Sequence, residues 1–136
     1  KAPKFEVESW IGPEPDLEGK YILLEFWATW CPPCRRSIPI LNGFHETFKD
    51  ELTVIGISDE TPEQVMRLKD PQIDYYNAID TQGRMKSAFG VLGVPHAVVI
   101  EPGGHIVWEG FPLLKDYELT EDVIEEILKV GRAVNS

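Results

Sequence analysis

Two apolar runs, residues 21–28 and 52–58, bracket a segment in which Ile38, Leu41 and Phe48 recur at helical spacing, with Ile40 and Phe44 beside them. That order constrains the fold more than any other feature of the chain. Runs so apolar and so rich in β-branched and aromatic side chains read as strands buried on both faces. A helix between two such strands makes them parallel neighbours, since an antiparallel pair needs only a short turn. Pro33 suits the first turn of that helix, and Pro39 inside it removes one backbone donor and predicts a kink.

The alternation continues. Thr61-Pro62-Glu63-Gln64 offers an N-cap, a proline at the first helical position and a glutamine placed for a capping box, opening a helix expected to end near Asp70-Pro71. A short strand around Ala78-Ile79 leads to a helix over residues 81–89, stopped by Gly90. Residues 97–101 and 106–110 flank Pro102-Gly103-Gly104 and read as a β-hairpin. Thr120 caps a last helix whose first turn holds Glu121 and Asp122, where negative charge complements the macrodipole. Val123, Ile124, Ile127, Leu128 and Val134 keep helical period along it. Residues 1–19 are rich in proline and acid and form a lead-in with one short edge strand near residues 5–7. The expectation is a single α/β domain over residues 1–136, with a central mixed sheet whose first strands are parallel and whose last hairpin is antiparallel, and helices on both faces.

The chain has 136 residues, 43% of them hydrophobic, so a core forms without covalent support. Thirteen basic residues against 23 acidic ones leave a net charge of -10. Such a surface repels phosphate backbones and anionic lipid, which argues against nucleic-acid or peripheral membrane binding. No apolar run approaches the roughly 20 residues that span a bilayer. No signal peptide is visible. The abrupt start at Lys1-Ala2-Pro3 fits a leader or membrane tether lost from a longer protein.

The only two cysteines, Cys31 and Cys34, stand where the first helix begins. Two rigid prolines, Pro32 and Pro33, separate them. A structural zinc site wants four ligands, and His45, His96 and His105 are scattered rather than set at ligand spacing, so no metal is expected. A bridge closing two intervening residues removes little chain entropy, which leaves an inert staple small value. A C-x-x-C beside a βαβ pattern instead suggests redox chemistry. Cys31 meets unpaired helix N–H groups and the positive end of the dipole, which favour thiolate. Free cysteine has a pKa of about 8.5, and this setting typically lowers it to roughly 3.5–7.5. Cys34, nearly one turn on, reaches the same sulfur and is expected to be the more buried. Cys31 would attack a substrate disulfide and Cys34 would resolve the mixed disulfide.

F-W-A-T-W-C-P-P-C-R at residues 26–35, with Ser37-Ile38-Pro39, Val54-Ile55-Gly56-Ile57-Ser58 and the distant Gly93-Val94-Pro95, resembles the thioredoxin superfamily, and within it the TlpA/ResA-type thiol–disulfide oxidoreductases. The resemblance implies a thioredoxin fold and a cis-proline at Pro95 beside the redox pair. It implies that the Val94 backbone pairs with an extended substrate segment, a mode that needs main-chain groups more than particular side chains. Trp30, Pro32 and Pro33 complete the implied substrate surface. Trp27 reads as core, and Trp10 and Trp108 as structural. Family members mostly carry threonine where this chain has His96, whose role stays open between adjusting the thiolate and lining the rim.

Two departures concern the proton. Relatives often place a glutamate three residues after the second cysteine, where this chain has Ser37. They usually carry an uncharged residue where it has Glu25, which instead resembles the buried aspartate of thioredoxins. A carboxyl enclosed by Leu, Phe and Trp has its pKa raised by desolvation, and a base poised nearer neutrality can deprotonate Cys34. The plainer alternative is a Glu25 at a solvated edge or paired with Lys20.

The expected activity is dithiol–disulfide exchange with protein disulfides, in the reducing direction by resemblance, without a cofactor. Electrons would arrive from another thiol protein, at a monomer working in the bacterial periplasm or another extracytoplasmic site, with the cytoplasm as the alternative. Two other functions compete. One is a client-binding module without turnover, which would be expected to have lost a cysteine. The other is a peroxiredoxin-like peroxidase, which needs a P-x-x-x-T/S-x-x-C setting that F-W-A-T-W-C does not supply.

Overall fold

Strand β2 (Tyr21–Phe26) lies inside the sheet because its side chains are apolar on both faces. It runs parallel to β3 (Leu52–Ser58), with Leu23 opposite Val54 and Phe26 opposite Ile57, and antiparallel to β5 (His96–Ile100). The crossover between β2 and β3 is helix α1 (Pro32–Thr47), which buries Cys34, Ser37, Ile38, Leu41 and Phe44 and carries Pro39 within it. Beyond β3 the chain forms α2 (Pro62–Met66), β4 (Tyr76–Ile79), which is parallel to β3, and α3 (Arg84–Ala88). After β5 a hairpin leads to β6 (Ile106–Gly110), and α4 (Glu121–Asn135) closes the chain. With β1 (Ser9–Ile11) on the far edge, the computed structural model, which describes residues 1–135 and side chains as far as residue 133, has a mixed sheet ordered β1-β4-β3-β2-β5-β6.

The pleat of β2 divides the interior. Leu23 and Trp27 join a core with α1, Val65 of α2 and Ile124 and Leu128 of α4. Leu24 and Phe26 join a second core with Met85 of α3, lined further by Phe5, Val7 and Trp10. Helices therefore cover both faces, as the alternation implies. Gly56 matters to this arrangement: a Cβ there would lie 3.0 Å from Trp27 Nε1, so its bare backbone lets the indole lie across β3.

Three expectations shift. The edge strand forms at Ser9–Ile11, paired antiparallel with β4, and not at residues 5–7, whose apolar side chains pack on the second core without joining the ladder. Helix α2 stops at Met66 instead of reaching Asp70-Pro71, although Leu68 and Ile73 still reach the first core from the loop that follows. Helix α3 begins only at Arg84, because the Asp80 carboxylate accepts the Met85 N–H at 2.8 Å and residues 81–83 form the turn beneath it. Val134 lies outside the residues whose side chains are described.

The capping box opening α2 is complete: Gln64 N donates to Thr61 Oγ1 at 3.2 Å, and Thr61 N to Gln64 Oε1 at 2.9 Å. Thr61→Ala is expected to lower stability by about 1 kcal/mol in urea unfolding, with Thr61→Ser near wild type. Thr120 caps α4 through the Val123 N–H at 3.2 Å.

Candidate active site

Where β2 ends, residues 27–30 carry the chain from the sheet to α1. Cys31 is the N-cap of that helix, with extended backbone angles, and its sulfur accepts the Cys34 N–H at 3.3 Å. Pro32 and Pro33 occupy the first helical turn, where no backbone donor is missed. Cys31 and Cys34 are joined as a disulfide with their Cα atoms 5.2 Å apart, so the structure is the oxidised form.

The expected asymmetry between the two is narrow in this state. Cys34 is 0% exposed and Cys31 only 3%, since the Cys31 sulfur is turned toward the core and lies 3.7 Å from the Val94 carbonyl oxygen. The accessible apolar surface is instead the neighbouring Trp30, 70% exposed. Trp27 is buried with its Nε1 unpartnered, Trp10 packs against Phe5 with ring centroids 5.9 Å apart, and Trp108 lies half-buried against the first core.

The Val94–Pro95 peptide is cis, immediately ahead of β5, and the pairing of His96 with Phe26 sets it beside the end of β2. The Val94 carbonyl thus faces the redox pair. His96 points elsewhere: its Nε2 lies 2.8 Å from the Glu109 carboxylate on β6.

Glu25 sits in the middle of β2, opposite Gly56 on β3 and Ala97 on β5, and is 1% exposed. Neither the solvated edge nor the Lys20 pair is realised, since Lys20 Nζ donates to the Asp50 carbonyl at 2.7 Å. The Ser37 hydroxyl donates to Glu25 Oε2 at 2.6 Å. Ser37 is three residues beyond Cys34 on α1, on the same helix face, so the carboxyl reaches the helix one turn below Cys34. Desolvation raises its pKa from 4.5 to about 8, against the lowering effect of the Ser37 bond. Glu25 in turn helps to raise the buried Tyr75 phenol, whose pKa is pushed well above its ordinary value first by desolvation and then by this charge.

Ser37 and Tyr75 were not marked by sequence as partners of Glu25. A serine at a core position of α1 was the available signal for the first, and nothing marked the second. The described residues contain no cluster of three metal-ligating side chains, and no helix among them is long and apolar enough to cross a membrane.

The geometry suits thiol–disulfide exchange, and the likeness to known proteins agrees. The AhpC/TSA family model matches residues 1–109. A thiol-disulfide oxidoreductase ResA from Bacillus thuringiensis is 31% identical over 135 residues, covering 95% of this chain and 75% of its own. ResA from Bacillus subtilis is 28% identical over 112 residues, covering 78% of this chain and 63% of its own. The crystal structure of a thioredoxin-like superfamily protein superposes with a TM-score of 0.80 at 23% identity, covering 96% of this chain and 94% of its own, and shows the shared fold. The chain therefore belongs to the AhpC/TSA family and is a thioredoxin-fold thiol–disulfide oxidoreductase similar to ResA.

Proposed function

We propose that Cys31 is the attacking thiol and Cys34 the resolving one, that Glu25 takes the proton from Cys34, and that the protein reduces disulfides in extracytoplasmic protein substrates as a monomeric single domain. What supports this is the position of Cys31 at the N-cap of α1, its sulfur on the Cys34 N–H and beside the Val94 carbonyl. In the reduced protein the same N–H and the helix dipole favour a thiolate at Cys31. That thiolate attacks one sulfur of a substrate disulfide and expels the other as thiolate. Cys34 then attacks Cys31 within the mixed disulfide, releases the second substrate sulfur as thiol, and closes the ring seen here. The substrate loses its disulfide and the enzyme gains one, so two electrons pass and no cofactor enters.

Trp30, Pro32 and Pro33 supply the apolar face against which the substrate lies, and the Val94-Pro95 backbone pairs with its extended segment. Electrons return from a second thiol protein through the same Cys31 sulfur. The extracytoplasmic location and any tether in a longer protein rest on the likeness to ResA-type proteins.

Direction is tested by equilibrating the protein with glutathione buffers. A reductant is expected to show a reduction potential nearer the roughly -270 mV of thioredoxin than the roughly -120 mV of a strong oxidant. A value near the latter would reverse the assignment.

A further inference from the structure

Thr29 is held at every polar atom it has. Its N–H donates to Glu60 Oε1 at 2.9 Å and its hydroxyl to Glu60 Oε2 at 2.6 Å, while its carbonyl accepts from Arg35 Nη1 at 2.7 Å. Glu60 is buried and is fixed from below: the Ser58 hydroxyl donates to Glu60 Oε1 at 2.8 Å and accepts the Glu60 N–H at 3.0 Å. Ser58 is the last residue of β3, and the Trp27 N–H bonds to the carbonyl of Ile57 at 3.0 Å, so the turn bearing Glu60 leaves the sheet beside residues 27–30.

Glu60 is not needed by the helix it precedes. The capping box at the start of α2 is completed by Thr61 and Gln64 without it. Its carboxylate instead crosses to a segment 31 residues away. The next residue along that segment is Trp30, which stands out 70% exposed, and the one after is Cys31. An exposed side chain on an untied connection would have to be ordered each time a substrate docks, at an entropic cost.

We propose that Glu60 is a positioning residue for disulfide exchange, clamping Thr29 so that Trp30 and Cys31 are presented to a protein substrate already ordered. The role rests on Cys31 being the thiol that meets substrate. Glu60 touches neither sulfur nor substrate; it acts through Thr29.

Three substitutions separate the clamp from general stability. Thr29→Val removes the hydroxyl and keeps the shape, Thr29→Ser keeps the hydroxyl, and Glu60→Gln keeps the shape without the charge. With insulin as the protein disulfide, Thr29→Val and Glu60→Gln are each expected to raise KM about fivefold, from one residue's worth of backbone ordering, with kcat nearly unchanged. Thr29→Ser should recover most of that loss, and the double variant Thr29→Val with Glu60→Gln should be little worse than the poorer single, because both weaken the same Thr29–Glu60 pairing.

Amide hydrogen exchange supplies a readout independent of turnover. The Trp30 and Cys31 amides should exchange about tenfold faster in Thr29→Val and Glu60→Gln, with those of Leu24 and Ile55 unaffected. Unaltered exchange at Trp30 and Cys31, KM values at the wild-type level, or effects that multiply in the double variant would each overturn the clamp. If wild-type protein failed to reduce insulin, the reading of Cys31 would fall while the exchange rates still decided the clamp.

Discussion

Cys31→Ser is expected to abolish reduction of protein disulfides, a loss of more than about a thousandfold, because it removes the proposed nucleophile itself. Serine in the same N-cap would still accept the Cys34 N–H, so the helix start is preserved and the loss reports chemistry. Cys34→Ser should behave differently. It leaves Cys31 and its helix-end setting intact, permits the first attack, and stops the reaction at a covalent mixed disulfide.

The two variants are measured together. Dithiothreitol-driven insulin reduction reads turnover, and a non-reducing gel reads the adduct. Turnover surviving in Cys31→Ser, or an adduct that forms as readily through Cys34 in that variant, would overturn the order of attack. Burial supports that order only through position. At 3% and 0% exposure neither sulfur is open in the oxidised form, but Cys31 lies at the helix end beside Trp30 and the Val94 carbonyl, whereas Cys34 lies one turn into α1 within the core. An incoming thiolate from an electron donor has the shorter path to Cys31.

How much of this was legible in the sequence follows from the range of each interaction. Features written in neighbouring residues were readable: the capping box at Thr61 and Gln64, the hairpin around Pro102-Gly103-Gly104, the Thr120 cap and the cysteine pair at a helix start. Strand β3 could be bounded because apolar residues buried on both faces stop where the turn residues begin. Apolar character misled where it marked packing without marking secondary structure. Phe5 and Val7 alternate like a strand yet simply line the second core, and Leu68 and Ile73 continue an apolar pattern after α2 has ended. Asp80 took the Met85 N–H and shortened α3 in a way no local propensity records. The site divides similarly. Glu25 was conspicuous as an acid in a buried strand, but its bond to Ser37 joins residues 12 apart and the Thr29–Glu60 contact joins residues 31 apart. Such contacts exist only once the β2–α1–β3 unit has closed.

Glu25→Gln is expected to slow resolution of a preformed mixed disulfide about a hundredfold while leaving its formation nearly unchanged, in keeping with loss of a general base. The pH dependence makes the assignment sharper. With its pKa raised to about 8, Glu25 is mostly protonated at pH 7, and the fraction able to accept a proton grows as pH rises through that value. Wild-type resolution should therefore climb between pH 7 and 9, and in Glu25→Gln that limb should be weakened, because only direct ionisation of the Cys34 thiol remains to drive it. Equal slowing of formation and resolution, or a limb of wild-type height in Glu25→Gln, would remove Glu25 from the proton path. The same group makes folding depend on pH. Between the ordinary carboxyl value of 4.5 and about 8 the unfolded chain has lost a proton that the folded protein keeps. Stability must then fall as pH rises, by about 1.4 kcal/mol per pH unit within that window. The contribution is fully present below pH 4.5 and is lost by about pH 8, a total on the order of 5 kcal/mol for so buried a carboxyl. Glutamine carries no such proton and its carbonyl oxygen can still accept the Ser37 hydroxyl. Urea unfolding of the oxidised proteins should show the variant losing far less stability than wild type between pH 5 and 8 and exceeding it at the upper end. A buried acid that slows nothing when neutralised yet costs this much at alkaline pH would have no reason to sit in β2, so the two measurements test one claim: the strand tolerates Glu25 for the proton it moves.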